Sequence, residues 1–189
     1  MAKYLVVHGH QGEGIFAINT RDGLKHLRVP AEGDISVNMG KVSDESEEVT
    51  ASHNGHIWNG YNINVGNPHA VVFVENLELV GELNDAPIVR PKESYPEGVN
   101  VEFIEFISET ELKMRVFERG SGETQSCGTG TCAVALAATL KKKKKLPAHW
   151  VIYPPGGRLE VDIDGHSNAT LIGPAELVKD VDLANFFNE

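Results

Sequence analysis

Two cysteines, Cys127 and Cys132, lie five residues apart in FERGSGETQSCGTGTCAVALAATL. A strand is expected to end at Phe117, a turn rich in Gly, Ser and Thr follows, and a helix opens just beyond Cys127. The first turn of a helix carries N–H groups with no intrahelical acceptor and a partial positive charge. Gly128 and Gly130 would let the backbone approach a ligand, so a carboxylate or phosphate could dock on those amides. A thiolate at such a tip is stabilised, which predicts a Cys127 pKa lowered from about 8.5 to between about 3.5 and 7.5. Cys127 is thereby placed to exchange protons or to act as a nucleophile. Cys132 falls inside an apolar helical stretch and reads as a small core residue.

These residue types leave several chemistries open. A phosphate-binding P-loop is excluded, because no Gly-Lys-Ser/Thr follows the glycines. A cysteine hydrolase would need a histidine held by a third group; His53, His56 and His69 are candidates that sequence spacing does not place. Zinc is disfavoured, since no second pair of ligands has finger-like spacing. A Cys127–Cys132 disulfide is disfavoured too, with one thiol at a helix cap and the other within the helix.

The elements that must position this segment can be read along the chain. Residues 1–8 have helical spacing and end at Gly9. Ile15–Thr20 and Leu24–Val29 read as a hairpin around Arg21-Asp22-Gly23. ISVNMG reads as a strand, the acidic stretch Ser43–Glu48 as an exposed loop, and TASHNGHIWNGYNINVGN as short strands and turns. AVVFVEN has the composition of a buried strand. Leu77–Glu93 reads as short helical turns. VNVEFIEFISET and LKMRVFERG alternate apolar and polar residues and predict two adjacent strands. The best helix spans Thr131–Lys144 and is apolar on most faces, so it should be enclosed by sheet. WVIYPPGGRLEVDID gives two strands around a Pro-Gly turn, and ATLIGPAELVKDVDL a last strand pair or strand and helix. The sum is an α+β protein of many strands around one buried helix.

Seventeen basic against 27 acidic side chains give a net charge of −10, which argues against nucleic-acid or anionic-membrane binding. The basic run Lys141–Lys145 follows the apolar helix, complements its negative end and stays solvated. No apolar run approaches the roughly 18 residues of a membrane span. Met1–Gly14 lacks a cleavage-site pattern and reads as structure, so a cytoplasmic location is expected.

FERGSGETQSCGTGTC, VGNPHAVVFVEN and YPEGVNVEFIE resemble, in this order, three blocks of the diaminopimelate epimerase family, and the resemblance covers essentially the whole chain. It implies a mostly antiparallel sheet around a central helix, and inversion of one α-carbon of diaminopimelate by two thiols on opposite faces, without pyridoxal phosphate or metal. Residue by residue, Cys127 would be one acid/base, and Gly128 and Thr129 the cradle of the reacting carboxylate. Glu118 and Arg119 would grip polar groups of the substrate, Asn67 and Asn100 its distal end, and His69 would lie beside the reacting centre. A homodimer acting in lysine biosynthesis is implied. The family's other signature, Cys-Gly-Asn-Gly, does not occur in these 189 residues. Residues 29–172 are therefore expected to form one complete C-terminal lobe, with 1–28 and 173–189 belonging to a second lobe. A chain of this kind would be weakly active or inactive alone. The alternatives are a related amino-acid isomerase of the same fold and a non-catalytic or complementing half-enzyme.

Overall fold

The structure, a computed structural model, describes residues 1–178; the predicted elements beyond Val178 lie outside the described residues. A short helix, α1 (Ala2–Val7), precedes the hairpin β1 (Gly14–Thr20) and β2 (Gly23–Val29). There follow β3 (Ile35–Lys41), β4 (Ser43–His53), β5 (His56–Asn64), β6 (Pro68–Phe73) and β7 (Ile88–Arg90). Next come β8 (Asn100–Phe106), β9 (Glu111–Glu118), β10 (Gly122–Thr124) and the long helix α2 (Gly128–Lys141). The described chain closes with β11 (Ala148–Tyr153), β12 (Leu159–Ile163) and β13 (Asn168–Gly173).

The strands form one open sheet in the order β1-β2-β3-β13-β12-β11-β9-β8-β6-β5-β4-β7, with β10 hung on β9. Neighbours are antiparallel except β11/β9 and β6/β8, which run parallel. The sheet curls around α2, whose residues Gly130–Thr139 are all buried. Alternation along the strands explains how one sheet serves two cores. Ile104, Leu112, Met114 and Trp150 pack with α2. Val49, Val72, Val101 and Phe103 face the opposite side, where Val80, Leu83 and Tyr95 cover them. Small residues let the helix sit this deep: Ala133, Ala135, Ala137 and Ala138 have no exposed surface.

The predicted α+β architecture is therefore the one observed, and three local readings are corrected. Ser43–Glu48 is not a loop but the first half of β4. It pairs with β5 through a bulge between Asp44 and Glu48, and Ser46 takes φ 55° there. β7 reaches β4 only at Thr50–Ser52, so the acidic half lies on a free edge, where charge opposes pairing with another chain. Leu77–Glu93 holds two 3-10 turns, at Leu77–Val80 and Lys92–Ser94, but also the strand β7. Helix α2 opens directly after its cap Cys127, as the glycine-rich turn predicts, so it begins before Thr131, and it stops at Lys141 rather than Lys144, with Lys143 in the left-handed region at φ 52°.

The lysines beyond it are not merely solvated. Lys141, Lys142 and Lys144 place their amines 5.7, 4.6 and 4.7 Å from the ring centres of Phe73, Phe106 and Trp150, closing the far end of the core with cation–π contacts.

Candidate active site

Three strand ends and one helix start converge at the opposite end of α2. β6 and β8 begin there and β9 ends there, so Asn67, His69, Asn100, Glu118 and Arg119 are brought to one end of the sheet by topology rather than by sequence proximity. His69 and Asn100 are register partners across β6 and β8. Asn100 Oδ1 accepts from the backbone N–H of Arg119 at 2.9 Å.

Cys127 is the N-cap of α2: its backbone is extended, and its Sγ accepts from the Gly130 N–H at 3.4 Å. The Thr129 hydroxyl lies 3.5 Å from the same sulfur. Gly128 and Thr129 are half-buried. Their N–H groups belong to the first turn, which has no intrahelical acceptor. A side chain on Gly128 would touch Leu171 and Met39, which wall the helix tip on that side.

The predicted acidity of Cys127 is overturned. Burial pushes its thiol up to about 11. The hydrogen bonds from Thr129 and Gly130 pull the other way and do not compensate, and the carboxylates of Glu102 and Glu118 push it further up. With the residue only 6% exposed, the thiol has lost most of its hydration, and one long N–H bond at a helix tip does not replace it. The resting group is a thiol. Cys132 sits in the core, as expected, with its own thiol raised to about 12 chiefly by burial.

From Thr129 the polar contacts run inward. Asn67 Nδ2 donates to Thr129 Oγ1 at 3.4 Å, and Asn67 Oδ1 lies 3.1 Å from His69 Nε2. His69 Nδ1 lies 2.7 Å from Glu102 Oε1. His69 and Glu102 are both fully buried, so His69 backs the site rather than facing solvent.

A second group lies beside this chain. Glu118 accepts a hydrogen bond from the Thr124 hydroxyl. Arg119 is exposed: its guanidinium donates to the Glu97 carbonyl at 3.2 Å and lies 3.7 Å from the Glu97 carboxylate. A side chain on Gly98, which has φ +84°, would press on the Arg119 stem, so the loop holds the arginine from behind.

Sequence reasoning missed Glu102, Thr124 and Glu97. Glu102 occupies a polar phase of the alternating VNVEFIEF, which reads as solvent-facing. Strand β8 lies between β6 and β9 in the sheet, with α2 on one face and the second core on the other, and only that tertiary context buries the carboxylate. Among the described residues no cluster of three or more His, Cys, Asp or Glu side chains could hold a metal. No helix among them is long and apolar enough to cross a membrane.

Residues 61–178 match the family model described as diaminopimelate epimerase. The chain is 40% identical over 182 residues to the diaminopimelate epimerase of Streptomyces coelicolor, covering 94% of this chain and 63% of that protein. It is 34% identical over 195 residues to that of Geobacillus thermodenitrificans, covering 94% and 67%. It thus spans about two-thirds of the length of these curated relatives. Among solved structures, a phenazine biosynthesis protein of the PhzF family from Bacillus anthracis superposes with TM-score 0.67 at 14% identity, covering 90% of this chain and 69% of that one. A hydroxyproline epimerase from Agrobacterium vitis gives TM-score 0.67 at 16% identity, covering 91% and 61%. At such identities these two likenesses show the fold alone.

Proposed function

Since the chain belongs to the diaminopimelate epimerase family, we propose that Cys127 is one of two acid/base groups that invert an α-carbon of diaminopimelate, in the biosynthesis of lysine. The observation that carries this reading is the position of Cys127 on the tip of α2, beside free first-turn amides. Those amides would receive the α-carboxylate, where negative charge accumulates as the α-carbon loses its proton. In one direction a thiolate takes the α-hydrogen: the C–H bond breaks, an S–H bond forms, and the electron pair delocalises into the carboxylate. A group on the opposite face then gives its proton to the carbon. In the other direction the roles exchange. Because burial keeps Cys127 protonated, it enters the cycle as the acid that returns a proton.

Asn67 and Asn100 are proposed to hold the distal amino-acid end, with Glu118 and Arg119 gripping its polar groups. A guanidinium offers a carboxylate a two-pronged partner, and Arg119 has only an exposed glutamate to release. His69 acts from behind, through Asn67. The chemistry needs no cofactor.

The opposite face needs its own group. Cys132 cannot supply it, being fully buried within α2. We propose that the second thiol lies in the part of the relatives' length that these residues do not span. Two observations support a second lobe that includes α1 and the β1–β2 hairpin. β2 and β3 share only two register pairs, Leu27↔Val37 and Arg28↔Ser36. A cavity lined by Ile18, Leu27, Val37 and Leu171 opens beneath α1. The family resemblance also supports a homodimer and a cytoplasmic location.

The test is exchange in deuterated water. Together with a polypeptide supplying the second thiol, the chain is expected to convert LL- to meso-diaminopimelate with deuterium at the α-carbon, and Cys127→Ala to lose this. Undiminished exchange by the Cys127→Ala variant refutes the assignment.

A further inference from the structure

Glu102 is the one buried carboxylate of the site to which the reaction above gives no task. It lies in the middle of β8, fully buried, with Oε1 on His69 Nδ1 at 2.7 Å and no hydrogen-bond partner for Oε2. The helix tip rests almost on it: a Cβ built on Gly130 would lie 2.6 Å from Glu102 Oε1 and 3.3 Å from Cys127 Sγ. Glycine at that position lets the carboxylate, the thiol and the helix occupy one small volume.

Following hydrogen-bond polarity outward from Glu102 gives an ordered chain. Asn67 spends its N–H on Thr129 Oγ1, so its Oδ1 faces His69 Nε2, which must carry a proton. The 2.7 Å contact between His69 Nδ1 and Glu102 then contains one further proton, shared between nitrogen and oxygen. Written either as imidazolium with carboxylate or as imidazole with carboxylic acid, the pair is neutral overall. That is what full burial demands of two ionisable groups. Because Thr129 Oγ1 receives the Asn67 N–H, its own O–H is free to point at Cys127 Sγ, 3.5 Å away.

We propose that Glu102 is a positioning residue: it fixes the proton and orientation of His69, so that His69, Asn67 and Thr129 form a one-directional relay that ends as a hydrogen-bond donor to the Cys127 sulfur. This rests on the reading of Cys127 as an acid/base and adds how its proton affinity is set. The charged groups that act on the sulfur are Glu102 on β8 and Glu118 on β9, with His69 on β6 acting through the relay; Cys132, on its own helix, is acted on by Cys127 instead. Removing Glu102 therefore has two effects. It changes the field that the buried pair exerts directly on the sulfur, and it releases the relay. Only the second passes through Thr129.

A double-mutant cycle separates them. The readout is the rate and pH profile of Cys127 alkylation by iodoacetamide, followed by peptide mass spectrometry on the whole chain, which needs no diaminopimelate. Glu102→Gln and Thr129→Val are each expected to shift the profile. Their combined effect should depart from the product of the single effects by about three- to tenfold, the size of one hydrogen bond lost at the sulfur. Multiplicative effects within twofold overturn the proposal. Thr139→Val, which disturbs a buried hydroxyl elsewhere on α2, should leave the profile unmoved, and a shift there as large as that of Glu102→Gln also overturns it. Proton NMR of the unaltered chain gives an answer independent of variant folding. A low-field ring proton on His69 Nδ1, hydrogen-bonded to Glu102, is expected in water, and its absence refutes the shared proton. Failure of deuterium exchange would sink the proposed activity and leave these readouts standing.

Discussion

Gly130 and Gly128 lie two residues apart in the same helical turn, and alanine should be costly at the first position and nearly neutral at the second. At Gly130 the added Cβ would meet Glu102 Oε1 at 2.6 Å, with Cys127 Cβ and Sγ at 3.2 and 3.3 Å. The oxygen must move, and it is the one bonded to His69. Alanine contributes about 1 kcal/mol of helix propensity over glycine. Against this stand about 1–3 kcal/mol for crowding a packed interior and about 1.5–3 kcal/mol for weakening a charged hydrogen bond with no water to replace it. Gly130→Ala should therefore lose about 1.5–5 kcal/mol net, which lowers a urea midpoint by about 0.8–2.5 M for a typical slope near 2 kcal/mol/M. At Gly128 the new methyl meets only Leu171 Cδ2 at 3.3 Å and Met39 Cε at 3.7 Å, the ends of flexible side chains. Gly128→Ala should stay within about 0.5 kcal/mol of the parent, with propensity offsetting the contact. Urea titrations followed by tryptophan fluorescence measure both. A Gly130→Ala variant as stable as the parent would mean that Glu102 is not pinned between the helix tip and His69, and the relay would lose its anchor.

Stability at alkaline pH should report the burial of Cys127. Its folded pKa, about 11, exceeds the value of 9.0 in an unfolded chain, so the protonated thiol favours the folded state. That contribution is complete below pH 9 and is lost as pH rises through 11, on the order of 2 kcal/mol. Thermal unfolding of Cys127→Ala should show a smaller loss than the parent across this window; an identical loss rejects the cause. At the other end of α2, the Trp150 indole N–H donates to Thr139 Oγ1 at 2.8 Å, and that hydroxyl donates to the Ala135 carbonyl at 2.8 Å. Thr139→Val strands a buried indole donor and should cost about 1–3 kcal/mol in the same urea assay, with no change at Cys127.

How far the sequence carried the architecture depended on where each element's partners lie. The hairpin around Arg21-Asp22-Gly23, the strand pair β8–β9 and the enclosed helix were legible because their periodicity is local. Ser43–Glu48 was not. Its charges forbid a buried strand but suit a free sheet edge, and which side of β4 stays unpaired is decided by β5 and β7, far along the chain. Cys127 was legible as a helix cap from the glycines that follow it, but its acidity was not. The cap geometry favours the thiolate, while the enclosure that opposes it comes from β3, β8 and β13, elements that no motif around the cysteine announces. Glu102 failed for the same reason in reverse, a polar residue in an exposed-looking phase that the fold buries on both sides.

The charges around Cys127 assign these residues their share of the chemistry. The sulfur receives one backbone N–H and faces two carboxylates, Glu102 and Glu118, and a diamino diacid would bring two more. Arg119 already shares its charge with Glu97 and is proposed to serve the distal end. Burial and the two carboxylates hold the proton on sulfur, and the hydrogen bonds from Gly130 and Thr129, which favour its loss, do not outweigh them. A site built this way is well suited to return a proton to a carbanion and poorly suited to begin by abstracting one. Its partner on the opposite face must then be the group that ionises more readily. On the proposed two-thiol reading, the difference between the two groups, rather than the acidity of either, would set which one starts as base. On this side of the substrate that difference is written in burial and in Glu102, so the relay beneath the helix is where it can be changed without touching the sulfur.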